Sequence, residues 1–188
     1  MVLITSDAAA SSIIKQAEEL KVKVRSHASR IDENFKVGVE IEVCLIDGKG
    51  TPIDARPVIE LLRRYHDIDF EYGICQLEYR TEPVSFESLA QLNLQFEEFI
   101  EHLDVIVNKV YKNKEVFPVF LGSNPSPHIL KDGLITNKPR YLRLARWQNR
   151  IPDVEIDGQN FKALHVAAAI QGFHLHLQGK NPNFTAQM

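Results

Sequence analysis

The residues best suited to chemistry fall in three short stretches where apolar and polar side chains alternate. The first is Gly38-Val39-Glu40-Ile41-Glu42-Val43, the second Gln76-Leu77-Glu78-Tyr79-Arg80, the third Phe173-His174-Leu175-His176-Leu177. Successive side chains of a strand point to opposite faces, so residues two apart share one. Glu40 and Glu42 therefore share a face, as do Gln76, Glu78 and Arg80, and His174 and His176. The other face of each strand is apolar and suited to burial. A polar outer face on a half-solvated antiparallel sheet is one reading of this pattern. Such a face usually carries Thr, Lys, Ser and Arg, whereas this one carries carboxylates and imidazoles suited to metals and phosphates and almost no Lys or Thr. Clustered carboxylates repel one another and are costly without cations to neutralise them. Oxygen donors suit Mg²⁺ or Mn²⁺, and imidazole adds tolerance for Mn²⁺. Residue types alone leave the metal site and the solvated face both open.

The elements that must position these groups are legible from periodicity. Residues 36–46 and 75–82 read as strands, the second ended by Pro83, and 170–178 as a third. Residues 7–25 read as a helix with Ile13, Ile14, Ala17 and Leu20 on one face, and 56–66 as a short helix with Pro57 in its first turn. The clearest helix is 86–112, where Leu89, Leu92, Phe96, Phe99, Leu103, Ile106 and Val110 recur at steps of three and four, with Ser85 as its cap. Residues 116–121 suit an edge strand because Pro118 cannot donate to a ladder. The stretch GSNPSPHILKDG reads as a loop, and 138–149 as a basic helix with Trp147 as a packing anchor. Helices and strands mix without a βαβ rhythm, so the expected class is α+β: an antiparallel sheet with helices packed on one face.

Bulk properties bound the alternatives. The chain has 188 residues, 44% of them apolar and 25% charged, which suits a single domain over 1–188 with a substantial core. A net charge of −3 argues against a generally basic nucleic-acid binder. No apolar run approaches the ~20 residues of a membrane span, and the start lacks the pattern of a secretory signal. Cys44 and Cys75 make no disulfide framework, which points to a reducing, cytoplasmic setting. Cys44 shares the parity of Glu40 and Glu42 and is expected to be a buried structural thiol. His66, His102, His128 and His165 lie singly along the sequence and are expected at the surface or at helix caps.

The three motifs, in this order, resemble those of the glutamine synthetase-like superfamily, and most closely the glutamate–cysteine ligase and carboxylate–amine ligase family. GVEIE looks like its G-x-E-x-E strand. EYGICQLEYRTEP looks like its second signature, with Glu71, Gln76 and Glu78 in place and Glu78-Tyr79-Arg80-Thr81 matching Glu-x-x-Thr. GFHLHLQG looks like its G-x-H-x-H strand, preceded by Arg140-Tyr141 as in that family. The resemblance spans roughly residues 35–180, after an N-terminal helix within 1–30, and corresponds to the N-terminal part of a catalytic domain whose later half completes a curved sheet.

The resemblance implies a site. Glu42, Glu71 and Glu78 would bind one Mg²⁺ or Mn²⁺, and Glu40 with His174 a second ion gripping ATP phosphates. His176 would face the phosphates, while Arg80 and Arg140 would contact anions. Glu78 and Arg140 would be closest to the reaction. It also implies an activity: the carboxylate of glutamate, or a similar acid, attacks the γ-phosphate of ATP, and an amine such as cysteine displaces phosphate from the acyl phosphate. Such a reaction depends on charge neutralisation by metal ions rather than on acid–base chemistry. No Gly-rich phosphate loop is needed for it, and GSNPS at 122–126 is only turn-rich. Two other readings stand beside the ligase: a non-catalytic relative that binds metal–nucleotide, and a purely structural domain. A chain that ends soon after the His strand could be the front of a longer protein, or could self-associate into a homo-oligomer to complete a site.

Overall fold

The computed structural model describes residues 7–27, 35–112, 114–124 and 126–178, with side chains of the first helix described for residues 11–23. The chain groups into two compact units, one made of Met1–Val37, Ser85–Glu87 and Leu177–Met188, the other of Gly38–Val84 and Ser88–His176. In the smaller unit, helix α1 spans Asp7–His27. Its Ile13, Ile14, Leu20 and Val22 are exposed. The rings of Phe35 and Phe86 meet edge to face there, with centroids 6.4 Å apart.

The larger unit carries most of a six-stranded sheet. Its organiser is β1, Lys36–Asp47. β2 (Asp67–Phe70) pairs with β3 (Gln76–Arg80), β3 pairs with β1, and β4 (Val84–Ser85), β5 (Val116–Val119) and β8 (Phe173–Gln178) also pair with β1. The β1–β3, β2–β3 and β1–β5 ladders are antiparallel. The fold is thus α+β, a mixture of helices and antiparallel sheet that does not close into a barrel among the described residues.

On β1, β2 and β3 the apolar face is buried as the alternation requires, whereas on β8 Phe173, Leu175 and Leu177 are exposed, contrary to the expectation for that strand. Val43 and Leu45 of β1, Leu77 and Tyr79 of β3 and Ile68 of β2 form one buried cluster with Val58, Ile59 and Leu62 of α2 (Arg56–Leu62) and Phe99, Leu103, Ile106 and Val107 of α3 (Ala90–Val110). The described 3-10 turn at Phe86–Ser88 precedes α3, whose N-cap is Leu89 rather than Ser85. Ser85 is held extended in β4 behind Pro83, so the chain turns tightly before the helix can start. A second, small cluster joins Tyr72, Tyr141 of α4 (Pro139–Gln148) and Ala168, which caps α5 (Ala163–Ala167). Trp147, expected as a packing anchor, is 46% exposed. The hairpin β6 (Val154–Ile156) and β7 (Gln159–Phe161) turns on Asp157-Gly158, both at positive φ. Asp-Gly between alternating residues is a strong hairpin signal that the sequence reading passed over. No described helix is long and apolar enough to cross a membrane.

His66, His102 and His165 are not the isolated groups expected. His165 is 4% exposed, with Nε2 3.0 Å from an Asp132 carboxylate oxygen. His66 Nε2 lies 2.8 Å from His102 Nδ1, and the His66 ring stands edge-on to both Tyr79 and Phe99. Burial first, and then the neighbouring His102, hold the pKa of His66 below the ordinary histidine range against the opposing pull of Glu98. The unfolded chain therefore binds more protons than the folded one just below pH ~6.5, and stability from this site is lost as pH falls through that window. Wild type is expected to lose melting temperature relative to His66→Phe as pH drops from about 7.5 to about 5.5. Thermal melts across that range check it.

Candidate metal centre

The β1–β3 register places Glu40 opposite Arg80, Glu42 opposite Glu78 and Cys44 opposite Gln76. Directly opposed residues share a face, so the polar set inferred from alternation is continuous across these two strands. β2 extends it, with Asp69 opposite Glu78 and Asp67 opposite Arg80. The chain entering β8 reaches the same place at Gly172: the Glu42 N–H donates to the Gly172 carbonyl (3.0 Å), and the Gly172 N–H donates to the Glu42 side-chain Oε2 (2.8 Å). A methyl group on Gly172 would lie 2.9 Å from His174 Nε2 and 3.2 Å from Glu42 Oε1, so a side chain there would displace these two donor groups.

Among the described residues, two groups of donor atoms result. Glu42, Glu78 and His174 each offer a ligand atom within 4.8 Å of the others, and so do Glu40, His174 and His176. His174 belongs to both. Its Nδ1 lies 3.2 Å from Glu40 Oε2, and His176 Nε2 lies 3.0 Å from that same oxygen. The first group is the deeper one, with the Glu78 side chain 10% exposed against 24% for Glu40 and 58% for His176 in the second. No family model matches this chain, and no curated protein does. Among solved structures, a bifunctional glutathione synthetase from Pasteurella multocida is similar over 88% of this chain, with a TM-score of 0.45 and 18% identity. The chain spans 20% of that protein's length.

Electrostatics separate the carboxylates. Burial works to raise the pKa of Glu40, but hydrogen bonds with His176 and His174 and the charge of Arg80 outweigh it and hold Glu40 low. Burial raises Glu42, and the Glu78 and Glu40 charges add to it, against the Gly172 N–H. Glu71 is raised the same way, by burial and by Glu42 and Glu78, although the Tyr72 N–H donates to its Oε1 (2.8 Å). Glu71 is near enough to feel the other carboxylates but lies outside both groups of converging atoms. Its other oxygen is 4.0 Å from Arg140, whose guanidinium also bonds the Tyr141 hydroxyl and is 62% exposed.

Arg80 is engaged by the protein's own acids. It bonds Glu78 and lies 3.4 Å from Glu40, 3.6 Å from Asp67 and 4.0 Å from Asp69. Asp69 in turn takes Lys138 (2.6 Å) and Arg63 (2.7 Å). These internal cations offset part of the clustered charge, and a divalent ion suits the remainder. Asp67, Asp69, Arg63 and Lys138 were not singled out from sequence. The alternation in Asp67-Ile68-Asp69-Phe70 is the signal that could have found the two acids. Cys44 is 1% exposed and its sulfur is 3.3 Å from that of Cys75, also buried, so it is a core thiol.

Proposed function

We propose that this face holds divalent cations, Mg²⁺ or Mn²⁺, and that the protein acts as an ATP-dependent carboxylate–amine ligase of the glutamate–cysteine ligase kind. The observation that carries the reading is the convergence of Glu42, Glu78 and His174, from three different strands, within 4.8 Å. Mixed oxygen and imidazole donors fit Mn²⁺ as well as Mg²⁺. In this reading Glu42, Glu78 and His174 hold the deeper ion, with Glu71 beside it. Glu40, His174 and His176 form the open position toward the nucleotide. The ions would neutralise ATP oxygens while the γ-carboxylate of glutamate attacks the γ-phosphate, and an amine such as cysteine would then displace phosphate. Arg140, largely exposed beside Glu71, is the cation available to a substrate anion.

The occupation of Arg80 by four carboxylates supports a second reading, a domain that binds metal–nucleotide without turnover. One experiment separates the two. The full-length protein with Mg-ATP, glutamate and a panel of amines including cysteine is assayed for ADP, alongside calorimetry with Mg-ATP alone. ADP release that requires both glutamate and an amine supports the ligase. Binding without ADP under every condition favours the second reading, and neither binding nor ADP overturns both.

A further inference from the structure

We infer that Gln76 is a positioning residue for the metal-binding face, its buried amide fastening the turn that carries Glu71 to the segment that leads into the His174 strand. Gln76 is 1% exposed. Its Oε1 accepts from the Gly73 N–H (2.7 Å), and its Nε2 donates to the Ile170 carbonyl (2.6 Å). Gly73 comes two residues after Glu71, and Ile170 two residues before Gly172, whose N–H and carbonyl both bond Glu42. One side chain thus spans the two irregular segments on which a metal-facing group depends.

The fit around the amide is close. A methyl group on Gly73 would lie 2.5 Å from Gln76 Oε1 and 2.7 Å from the Ala168 carbonyl oxygen, so the space a side chain would need is already filled. The chemistry selects glutamine. The position requires one donor and one acceptor on a stem of this length, in a dry place, with no charge beside the carboxylates of Glu42 and Glu78. Leucine would fill the volume but leave the buried Gly73 N–H without its partner. Glutamate would still accept from Gly73, but would face the Ile170 carbonyl with a lone pair unless it were protonated.

The metal readout of this inference rests on the function proposed above, whereas a second readout does not. Gln76→Leu is compared with wild type and with Val107→Ala, a destabilising change in the core beneath α3. Two quantities are measured: Mn²⁺ affinity by calorimetry, and hydrogen exchange at the Gly172 and Gly73 amides relative to amides of β2. The expected result for Gln76→Leu is a loss of Mn²⁺ affinity of about 10-fold or more, as for groups that orient metal ligands. Exchange should accelerate selectively at Gly172 and Gly73, while Val107→Ala changes neither. Uniform acceleration of all amides with Mn²⁺ affinity unaltered overturns the inference. If wild type does not bind Mn²⁺, the metal reading falls and the exchange pattern alone decides the role of Gln76. Should Gln76→Leu not fold, Gln76→Met serves in its place, with selective acceleration of exchange at Gly172 and Gly73 supporting the inference and unchanged protection at both counting against it.

Discussion

Mn²⁺ is expected to raise the melting temperature of the wild-type protein and to leave that of Glu78→Gln unchanged. A ligand that binds only the folded state adds about 2.7 kcal/mol at a concentration 100 times its Kd. For a chain of this size that corresponds to roughly 5–10 °C, at about 2–4 °C per kcal/mol. Glu78 is the carboxylate with least freedom to be replaced. It is 8% exposed, it stands opposite Glu42 across the β1–β3 ladder, and it belongs to the deeper donor group. The amide in Glu78→Gln keeps the volume but removes a charge, and the loss of Mn²⁺ affinity should exceed the roughly 10–100-fold seen when only an orienting group is lost. Calorimetry and thermal melts with and without Mn²⁺ check both statements.

The same experiment run against pH has a definite sign. Glu42 and Glu71 have folded-state pKa values above the ordinary glutamate range, because burial and like charges disfavour their ionised forms. Without metal the folded protein therefore binds more protons than the unfolded one in the window above pH ~4.3, and this contribution to stability declines as pH rises through the raised values. Bound Mn²⁺ needs the Glu42 oxygens deprotonated and favours the ionised form of Glu71 beside it, so the gain from metal grows over the same interval. A Mn²⁺-induced shift that shrinks as pH rises from about 5 to about 7 would contradict a carboxylate-held ion.

What the sequence made legible was the part governed by the two-residue period. Glu40 with Glu42, Glu78 with Arg80, and His174 with His176 each lie on one strand, and the opposite faces of β1 and β3 are buried as alternation requires. What it left open was which groups meet. That depends on how β8 is laid against β1, fixed by Gly172 bonding to Glu42 across 130 positions of sequence. Pattern within a segment carries no information about such a pairing. The sharing of His174 between the two donor groups, and the position of Glu71 outside them, follow from that register. Asp67 and Asp69 escaped notice because a four-residue strand is too short to establish a period after the turn that ends α2. His66 and His102 looked isolated because 36 positions separate them, although α2 and α3 bring their rings together.

Phe99→Ala is expected to cost about 3–5 kcal/mol, lowering the melting temperature on the order of 10 °C, without altering Mn²⁺ affinity at temperatures where the variant stays folded. Phe99 is completely buried on α3 and stacks on Tyr79, with ring centroids 4.1 Å apart and planes within 10°. It also meets the His66 ring at 5.8 Å. Truncation leaves a cavity that neither partner can easily close. The Tyr79 ring is held by Phe96 on one edge, and its hydroxyl donates to the Gln95 carbonyl at 3.2 Å. The burial that raises the Tyr79 pKa to about 12 marks how thoroughly water is excluded there. Tyr79 lies between Glu78 and Arg80 in sequence and points to the opposite face, so the cavity opens beneath the strand rather than among the ligands. The β1–β3 ladder and the Gly172–Glu42 bonds remain to hold the carboxylates in register. Calorimetric Mn²⁺ titration at low temperature beside a thermal melt tests this division. A variant that melts early and also loses metal affinity would show that the acidic face is held by the packing under Tyr79 rather than by its own strand and backbone bonds.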